Sequence, residues 1–266
     1  MMRLSRRTCF GAAALVLAAS LALPAFAAGT LTVGSYPANP PWENKNKTGD
    51  FEGFEVDLVK EIGKRLGLEV EISDYGFQAL FAATSSGRIE AAISSITITK
   101  ERLKNQAFTQ GYVDSDTALV SRKDSKVKSL ADAKGATVGA ISASVGEKWI
   151  RDNMAKYGFA DYKGYNTQED LLLDLQAGRI AGAVGDITGF QFAFAKMPDL
   201  TVVETIPTGD EFAIMMPKDS PLLTKVNDAI TQLKKEGFVA ALYKKWLGAE
   251  PDPKGSSVQE RSLPHA

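Results

Sequence analysis

Cysteine and histidine are almost missing from this sequence of 266 residues. The single cysteine is Cys9, and the single histidine is His265, the second-last residue. A chain with no cysteine after residue 9 has no disulfide, thiolate nucleophile or cysteine metal ligand in that part. Histidine acid–base catalysis and histidine metal ligation are nearly excluded as well. We therefore expect neither a metal site nor a bound cofactor.

An excess of one charge sign and a long apolar run are also missing. The chain has 31 Lys and Arg against 32 Asp and Glu, a formal net charge of −1. No basic surface is expected, so nucleic acid is not an expected partner. The apolar stretch at residues 11–23 is shorter than the roughly 20 residues that a membrane-spanning helix needs.

The first residues have the features of a secretory signal peptide. Residues 1–27 combine three arginines, the apolar stretch and the small-x-small sequence Ala25-Phe26-Ala27. Cleavage there would release residues 28–266 into the periplasm. Cys9 precedes the apolar stretch, so no lipid anchor is expected. Two adjacent arginines also fit twin-arginine export, but ordinary secretion is favoured.

Strand-like and helical segments alternate along the rest of the chain. Residues 31–34 are typical of a short strand, apolar residues over 58–66 follow helical spacing up to Gly67, and residues 70–72 are again strand-like. A helix over 147–157 belongs to a similar series further on. This alternation predicts an α/β protein with parallel sheets.

Part of this pattern recurs at an offset of 91 residues. The repeated positions are Gly67 and Gly158, and then Gly87-Arg88-Ile89 and Gly178-Arg179-Ile180. The repeat indicates two lobes of similar plan, although helix–Gly–strand units can also resemble each other by chance. At the same offset, Ser95 and Asp186 follow equivalent strands. Ligands of open α/β sheets bind at such strand ends.

Four runs of residues, in order, resemble the polar amino acid binding proteins of ABC importers (bacterial extracellular solute-binding protein family 3). These runs are Gly53-Phe54-Glu55-Val56-Asp57-Leu58, Ser94-Ser95-Ile96-Thr97-Ile98-Thr99 with Arg102, Phe108-Thr109 with Tyr112, and Tyr243-Lys244-Lys245-Trp246. They extend over essentially the whole mature chain. The resemblance implies the two-lobed type II periplasmic binding protein fold, in which two crossover strands join the lobes.

The resemblance and the composition together divide the chain. Lobe 1 is expected at 28–117 and 212–248, and lobe 2 at 118–211. The crossings are expected near Asp116–Ser121 and Glu211–Met216. The end of the chain, residues 249–266, is rich in Pro, Ser and charge, and it is expected to be disordered.

A free amino acid carries a carboxylate and an ammonium, so a site that buries it must supply both counter-charges. Arg102 can hold a carboxylate with its planar fork, which lysine cannot reproduce. The resemblance implies this role for Arg102, beside the hydroxyls of Thr97 and Ser144 and the backbone of Val145. It also implies that Asp186 accepts the ammonium, helped by Ser95.

Each of these residues has a simpler alternative. Arg102 could be a solvated arginine in a charged helix start, and Asp186 could be an ordinary turn or N-cap aspartate. Ser144 stands where a helix is predicted to begin, so it could be only a helix cap. A cap and a ligand contact are compatible roles for Ser144.

Selectivity for the ligand side chain is harder to predict. The resemblance implies two aromatic walls, and Phe77 matches one of them. The second aromatic wall usually comes from the position that Asn39 occupies here, so Tyr36 or Trp42 would have to provide this wall. Trp42 is equally compatible with the core of the lobe. Because Tyr36 stands where relatives for basic ligands carry an acid, and Ile141 where some carry a lysine, a neutral side chain is favoured.

The resemblance implies a monomeric periplasmic protein that closes around an amino acid or close analogue and delivers it to an ABC transporter permease. An enzyme of the same fold is the alternative: a prephenate or arogenate (cyclohexadienyl) dehydratase, with Glu147, Glu169 or Asp186 as its acid. A third alternative is the ligand-sensing domain of a receptor, which the lack of a downstream spanning segment disfavours.

Overall fold

The computed structural model describes residues 29–265. The predicted signal peptide, with Cys9 and the cleavage sequence, lies outside the described residues. In the described part of the chain, no helix combines the length and the apolar character needed to cross a membrane.

Thirteen strands and seven α-helices alternate along the described chain. The strands are β1 (Thr30–Ser35), β2 (Ala38–Asn39), β3 (Glu43–Lys45), β4 (Phe51–Glu52), β5 (Glu69–Asp74), β6 (Ala91–Ile93), β7 (Gln106–Phe108), β8 (Val113–Arg122), β9 (Thr137–Ile141), β10 (Asp161–Tyr165), β11 (Gly182–Asp186), β12 (Leu200–Phe212) and β13 (Met215–Pro217). The helices are α1 (Phe54–Leu66), α2 (Phe77–Ser85), α3 (Val145–Tyr157), α4 (Gln168–Gln176), α5 (Ile187–Ala193), α6 (Leu223–Lys235) and α7 (Phe238–Leu247).

Two five-stranded sheets organise these elements, and each is the centre of one lobe. Lobe 1 has the order β5-β1-β6-β13-β7, and lobe 2 has the order β10-β9-β11-β8-β12. In each sheet the first three strands are parallel and the remaining pairings are antiparallel. The predicted α/β fold with two mostly parallel sheets is confirmed.

Both faces of each sheet are covered by helices. In lobe 1, α1, α6 and α7 pack on one face and α2 on the other. In lobe 2, α3 packs on one face, and α4 and α5 pack on the other. Strands covered on both faces are apolar without alternation, which is why β6 has the sequence Ala-Ala-Ile and is fully buried.

The two lobes repeat one local plan. Helix α1 ends at Gly67 and helix α3 at Gly158, and both glycines have a left-handed φ of 67°. Glycine is favoured at this cap because it adopts positive φ without a Cβ clash. At the same offset, Ser95 follows β6 and Asp186 ends β11. Both residues therefore lie at the edge of the sheets that faces the other lobe.

Strands β8 and β12 pair with each other and join the lobes. Val113 and Phe212 belong to the core of lobe 1, whereas Leu119 and Ile206 belong to the core of lobe 2. The first crossing therefore overlaps its predicted position. The second crossing lies between Ile206 and Phe212, so it shares only Glu211 with the predicted segment 211–216. Met215 and Met216 already belong to strand β13 of lobe 1.

The expectation of a disordered tail at 249–266 is wrong for the residues that the structure describes. Ser257 is 3% exposed, and its Oγ donates to the carbonyl oxygen of Tyr112 at 2.8 Å. The guanidinium of Arg261 pairs with the Glu211 carboxylate at 3.0 Å. The prediction failed because composition indicates only whether a segment can bury enough apolar surface to be ordered. This segment is held in place by polar contacts with lobe 1.

Candidate functional site

A cavity lies between the two lobes, with an empty volume of about 700 Å³ that includes the open solvent at its mouth. All the predicted site residues except Trp42 line it. Lobe 1 contributes Tyr36, Phe77, Ser95, Thr97 and Arg102, and lobe 2 contributes Ser144, Val145 and Asp186. The fold therefore brings these side chains together, while their contact with a ligand stays a prediction.

The guanidinium of Arg102 is the cation of this cavity, and its residue is partly buried. It donates to the carbonyl oxygens of Thr97 at 2.8 Å and Ala143 at 3.1 Å, and it lies 4.8 Å from the centre of the Phe81 ring. Burial lowers the pKa of Arg102 to about 10, and the nearby Asp210 carboxylate partly offsets this shift. Within the described chain, none of the ion pairs includes Arg102. A partly desolvated guanidinium without an ion-pair partner favours an anionic ligand.

The first turn of α3 faces the same part of the cavity. Ser144 is its N-cap, and the Ser144 hydroxyl accepts from the amide of Glu147 at 3.2 Å. The amides of Val145 and Gly146 make no hydrogen bond to a described residue and line the cavity. Glycine at 146 lets this turn lie against the carbonyl of Val184, since a Cβ would collide with it. Free amides at a helix start are a ready site for a carboxylate.

The carboxylate of Asp186 has the N-cap role considered for it, and it also lines the cavity. It caps α5 by accepting from the amides of Thr188 at 3.1 Å and Gly189 at 2.8 Å. It also accepts from the Ser115 hydroxyl at 3.0 Å and from the indole of Trp42 at 2.9 Å. Burial raises its pKa, although these four donors act in the opposite direction. Four donors fill the lone-pair positions of a carboxylate, so a ligand ammonium would be held mainly by charge.

Trp42 does not line the cavity, so its prediction as an aromatic wall is corrected. Its ring is fully buried in lobe 1, edge-on to Phe54 at 5.7 Å and to Phe212 at 5.2 Å. The indole N–H then crosses to lobe 2 to reach Asp186. Trp42 takes the core position that the sequence left open, because a large apolar ring gains more from full burial than from a half-open cleft.

Ser95 is held from behind by Glu55. Its backbone has a positive φ of 44°, which is uncommon for a residue other than glycine. The amide of Ser95 donates to both carboxylate oxygens of Glu55, at 3.0 and 2.9 Å. Asn39 donates to the Ser95 hydroxyl at 2.9 Å. These contacts fix the Ser95 side chain at the wall of the cavity.

The rest of the wall is mostly uncharged. Phe77 packs edge-on to Phe81 at 5.5 Å, and Ile141 lies in the apolar cluster of α4. The Tyr36 hydroxyl accepts from the amide of Gln168 in lobe 2 at 3.3 Å, and burial raises the pKa of Tyr36 to about 12. The bonds of Tyr36, Trp42 and Arg102 to lobe 2 hold the cleft in a closed arrangement.

Several cavity residues were not among the predicted ones: Asn39, Ser115, Thr117, Gln168 and Asp210. Only Asn39 gave a signal, as a departure from an aromatic position. Ser115, Thr117 and Asp210 come from the paired strands β8 and β12, whose register no sequence motif reveals.

The carboxylates considered for catalysis are spread apart. Glu147 accepts from the amide of Ala143 at 2.7 Å and pairs with Arg151 at 2.7 Å, and neither it nor the exposed Glu169 lines the cavity. Of the three carboxylates considered, only Asp186 lines the cavity. In residues 29–265, no group of three or more His, Cys, Asp or Glu side chains is arranged to hold a metal ion.

Known proteins resemble the chain along most of its length. The L-cystine-binding protein TcyJ of Escherichia coli strain K12 is 29% identical over 265 residues, which cover 93% of this chain and 97% of that protein. The histidine-binding periplasmic protein of Salmonella typhimurium is 31% identical over 248 residues, 88% of this chain and 94% of that protein.

A solved structure of an ancestral arginine-binding protein bound to arginine superposes with a TM-score of 0.78 at 32% identity, and it covers 83% of this chain and 99% of that chain. The sequence model of the bacterial extracellular solute-binding proteins, family 3, matches residues 31–249. The family resemblance deduced from the four runs is thereby confirmed: this chain belongs to family 3 of the bacterial extracellular solute-binding proteins.

Proposed function

We propose that this protein is the periplasmic solute-binding component of an ABC transporter. It binds an amino acid or a close analogue and delivers it to the membrane permease. One observation carries the proposal: two partly buried groups of opposite charge, Arg102 in lobe 1 and Asp186 in lobe 2, line the same cavity. Such a pair matches the carboxylate and ammonium of a free amino acid.

Binding works by hinge closure between lobe 1 (28–117 and 212–248) and lobe 2 (118–211). A ligand docked on lobe 1 alone has its carboxylate paired with Arg102 and its ammonium only partly satisfied. Closure places the negative charge of Asp186 beside the ammonium and brings the free amides of the first turn of α3 to the carboxylate, and it excludes water. The closed, liganded protein is the form that the permease recognises, and the protein acts as a monomer that binds rather than catalyses.

The ligand side chain is uncharged. Tyr36, Phe77, Ile141 and Gln168 supply apolar surface and neutral hydrogen-bonding groups in the cavity wall. Arg102 and Asp186 are engaged by the ligand backbone, and Asp210, the other carboxylate of the wall, interacts with Arg102. A neutral polar or apolar side chain then adds no unpaired charge to the cavity. The related proteins named for cystine, histidine and arginine are the reason to test charged and neutral ligands side by side.

A thermal-shift screen tests the proposal. Residues 28–266 are refolded to remove carried-over ligand and are then mixed with each L-amino acid, cystine, opines, polyamines and prephenate. A ligand at one hundred times its Kd adds about 2.7 kcal/mol to the unfolding free energy, a shift of several degrees. We expect one neutral amino acid or analogue to give the largest shift.

Two variants and their matched controls complete the screen. Arg102→Met and Asp186→Asn should abolish the shift, whereas Arg88→Met and Asp219→Asn, at exposed positions outside the cavity, should keep it. If no amino acid shifts the protein while prephenate is converted to phenylpyruvate, the binding proposal fails. Mass spectrometry of the periplasmic protein should find its N-terminus at Ala28.

A further inference from the structure

Two buried glutamates lie behind the cavity wall. Glu43 in β3 and Glu55 in the first turn of α1 are both fully buried, and each carboxyl group is a hydrogen-bond partner of the other. Two ionised carboxylates in contact inside a protein repel each other strongly, and each alone would be costly to bury. The pair therefore needs a proton.

Hydrogen bonding assigns the proton to Glu43. The carboxylate of Glu55 accepts from the amide of Ser95 and from the hydroxyl of Tyr112, and it lies in the first turn of α1, where the helix dipole favours negative charge. Glu43 Oε1 accepts from Asn39 at 2.9 Å, whereas Glu43 Oε2 is buried and accepts no hydrogen bond from a described residue. A proton on Oε2, donated to Glu55, satisfies this oxygen.

Both glutamates hold residues of the cavity wall. Asn39 uses its amide group twice, donating to Glu43 Oε1 and to the Ser95 hydroxyl, each at 2.9 Å. Both amide hydrogens are then used, and Asn39 Oδ1 accepts no hydrogen bond from a described residue. Glu55 meanwhile binds the Ser95 amide. Asn39 Oδ1 and the Ser95 hydroxyl are thus held in one orientation beside the cavity.

We propose that Glu43 and Glu55 share one proton and act as positioning residues, which orient Asn39 and Ser95 toward the ligand. Burial and the neighbouring Glu55 raise the pKa of Glu43 well above its usual range, which agrees with this hydrogen-bond assignment. The proton-sharing part concerns the fold alone, and only the positioning part rests on the proposed function. The two parts can therefore be tested separately.

The shared proton has a signature in stability against pH. Above the ordinary carboxyl value of 4.5, the unfolded chain has released the Glu43 proton and the folded chain still holds it. Unfolding then releases one proton, so the unfolding constant of the wild type rises about tenfold per pH unit relative to Glu43→Gln. The variant keeps the geometry, because its amide group donates to Glu55 as the carboxyl group does.

Denaturant unfolding of both proteins from about pH 5.5 upward measures this ratio. The other titratable groups facing the pair are Tyr112, Tyr36 and Asp186, and they cancel because both proteins contain them. Glu71→Gln, an exposed change on β5, is the matched control and should leave the ratio flat. In infrared spectra, a protonated-carboxyl band should disappear in Glu43→Gln. A flat ratio and an unchanged band would overturn the shared proton.

Ligand affinity tests the positioning. The probe is L-glutamine, or L-cystine if the screen favours it, measured by calorimetry. Glu43→Ala removes the acceptor that orients Asn39 and should weaken binding about tenfold or more, whereas Glu43→Gln should restore it to within about threefold. Equal affinity in Glu43→Ala and wild type would overturn the positioning role. If neither probe binds the wild type, the proposed function fails for these ligands, while the pH ratio still decides the shared proton.

Discussion

Replacing Trp42 by phenylalanine tests whether the bond between the lobes contributes to binding. The Trp42 indole donates to Asp186 across the cleft at 2.9 Å, and its ring is enclosed by Phe54 and Phe212. Phenylalanine keeps an aromatic ring in this core and removes the donor. Because both partners meet water once the lobes separate, the loss falls on the closed state.

The size of the effect follows from the type of bond. A hydrogen bond to a charged group contributes about 1.5–3 kcal/mol, which is about 10- to 150-fold in the ratio of closed to open protein. Since the ligand needs the closed state, its Kd should rise by up to the same factor. The full factor is expected where the ligand-free protein is mainly open, and a smaller one where it is mainly closed.

The chain offers a matched control within lobe 1. The indole of Trp246 donates to Asp57 at 2.8 Å, the same kind of bond without a crossing between lobes. Trp246→Phe should lower the unfolding free energy and leave the Kd within about twofold, since the bond is present in the open and closed states alike. Calorimetry gives the Kd, and spin labels on two introduced cysteines, one in each lobe, give the open fraction. Equal changes in Kd for both variants would refute the reasoning.

Three further outcomes are expected. Arg102→Lys should weaken binding about 10- to 100-fold in calorimetry, because one bond of the guanidinium fork is lost, whereas exposed Arg88→Lys should not. Burial lowers the pKa of Lys234 to about 8, so the unfolded chain binds more protons above that pH. The stability of wild type relative to Lys234→Met should therefore rise from about pH 8 to 10 in denaturant unfolding. Truncation after Pro251 removes five hydrogen bonds to lobe 1 and also the entropic cost of ordering the segment. The unfolding free energy should therefore fall by about 2–4 kcal/mol; an unchanged Tm would contradict it.

The repeated plan of the lobes could be predicted from the sequence because its signals are local. A glycine that ends a helix with left-handed φ is required wherever the chain turns in this way, and Gly67 and Gly158 both do so. The equivalent strands that follow brought Ser95 and Asp186 to facing edges. Local spacing therefore predicted where Ser95 and Asp186 lie, whereas the place of Arg102 in the site was predicted from the family resemblance.

The segment between β1 and α1 could not be predicted in the same way. Asn39 and Trp42 are three residues apart, yet Asn39 lines the cavity and Trp42 is in the core. The short strands β2, β3 and β4 set this division through their own pairing, and two- and three-residue strands leave no periodicity to recognise. Asn39 is held at the cavity by hydrogen bonds to Ser95, which is far away in the sequence, and to Glu43, which is fully buried.

The C-terminal segment, residues 249–265, is ordered for a reason that its amino-acid composition does not reveal. The ammonium of Lys234 is buried in lobe 1, where Gln110 Oε1 and the carbonyl of Gly111 accept two of its hydrogens, at 2.7 and 2.6 Å. The third goes to the carbonyl of Gln259 in the segment, at 3.0 Å. A buried ammonium with an unused donor is costly, so lobe 1 favours any conformation of the segment that supplies an acceptor. The segment is therefore ordered because the buried Lys234 ammonium in lobe 1 needs a third acceptor, although the sequence of the segment is typical of disorder.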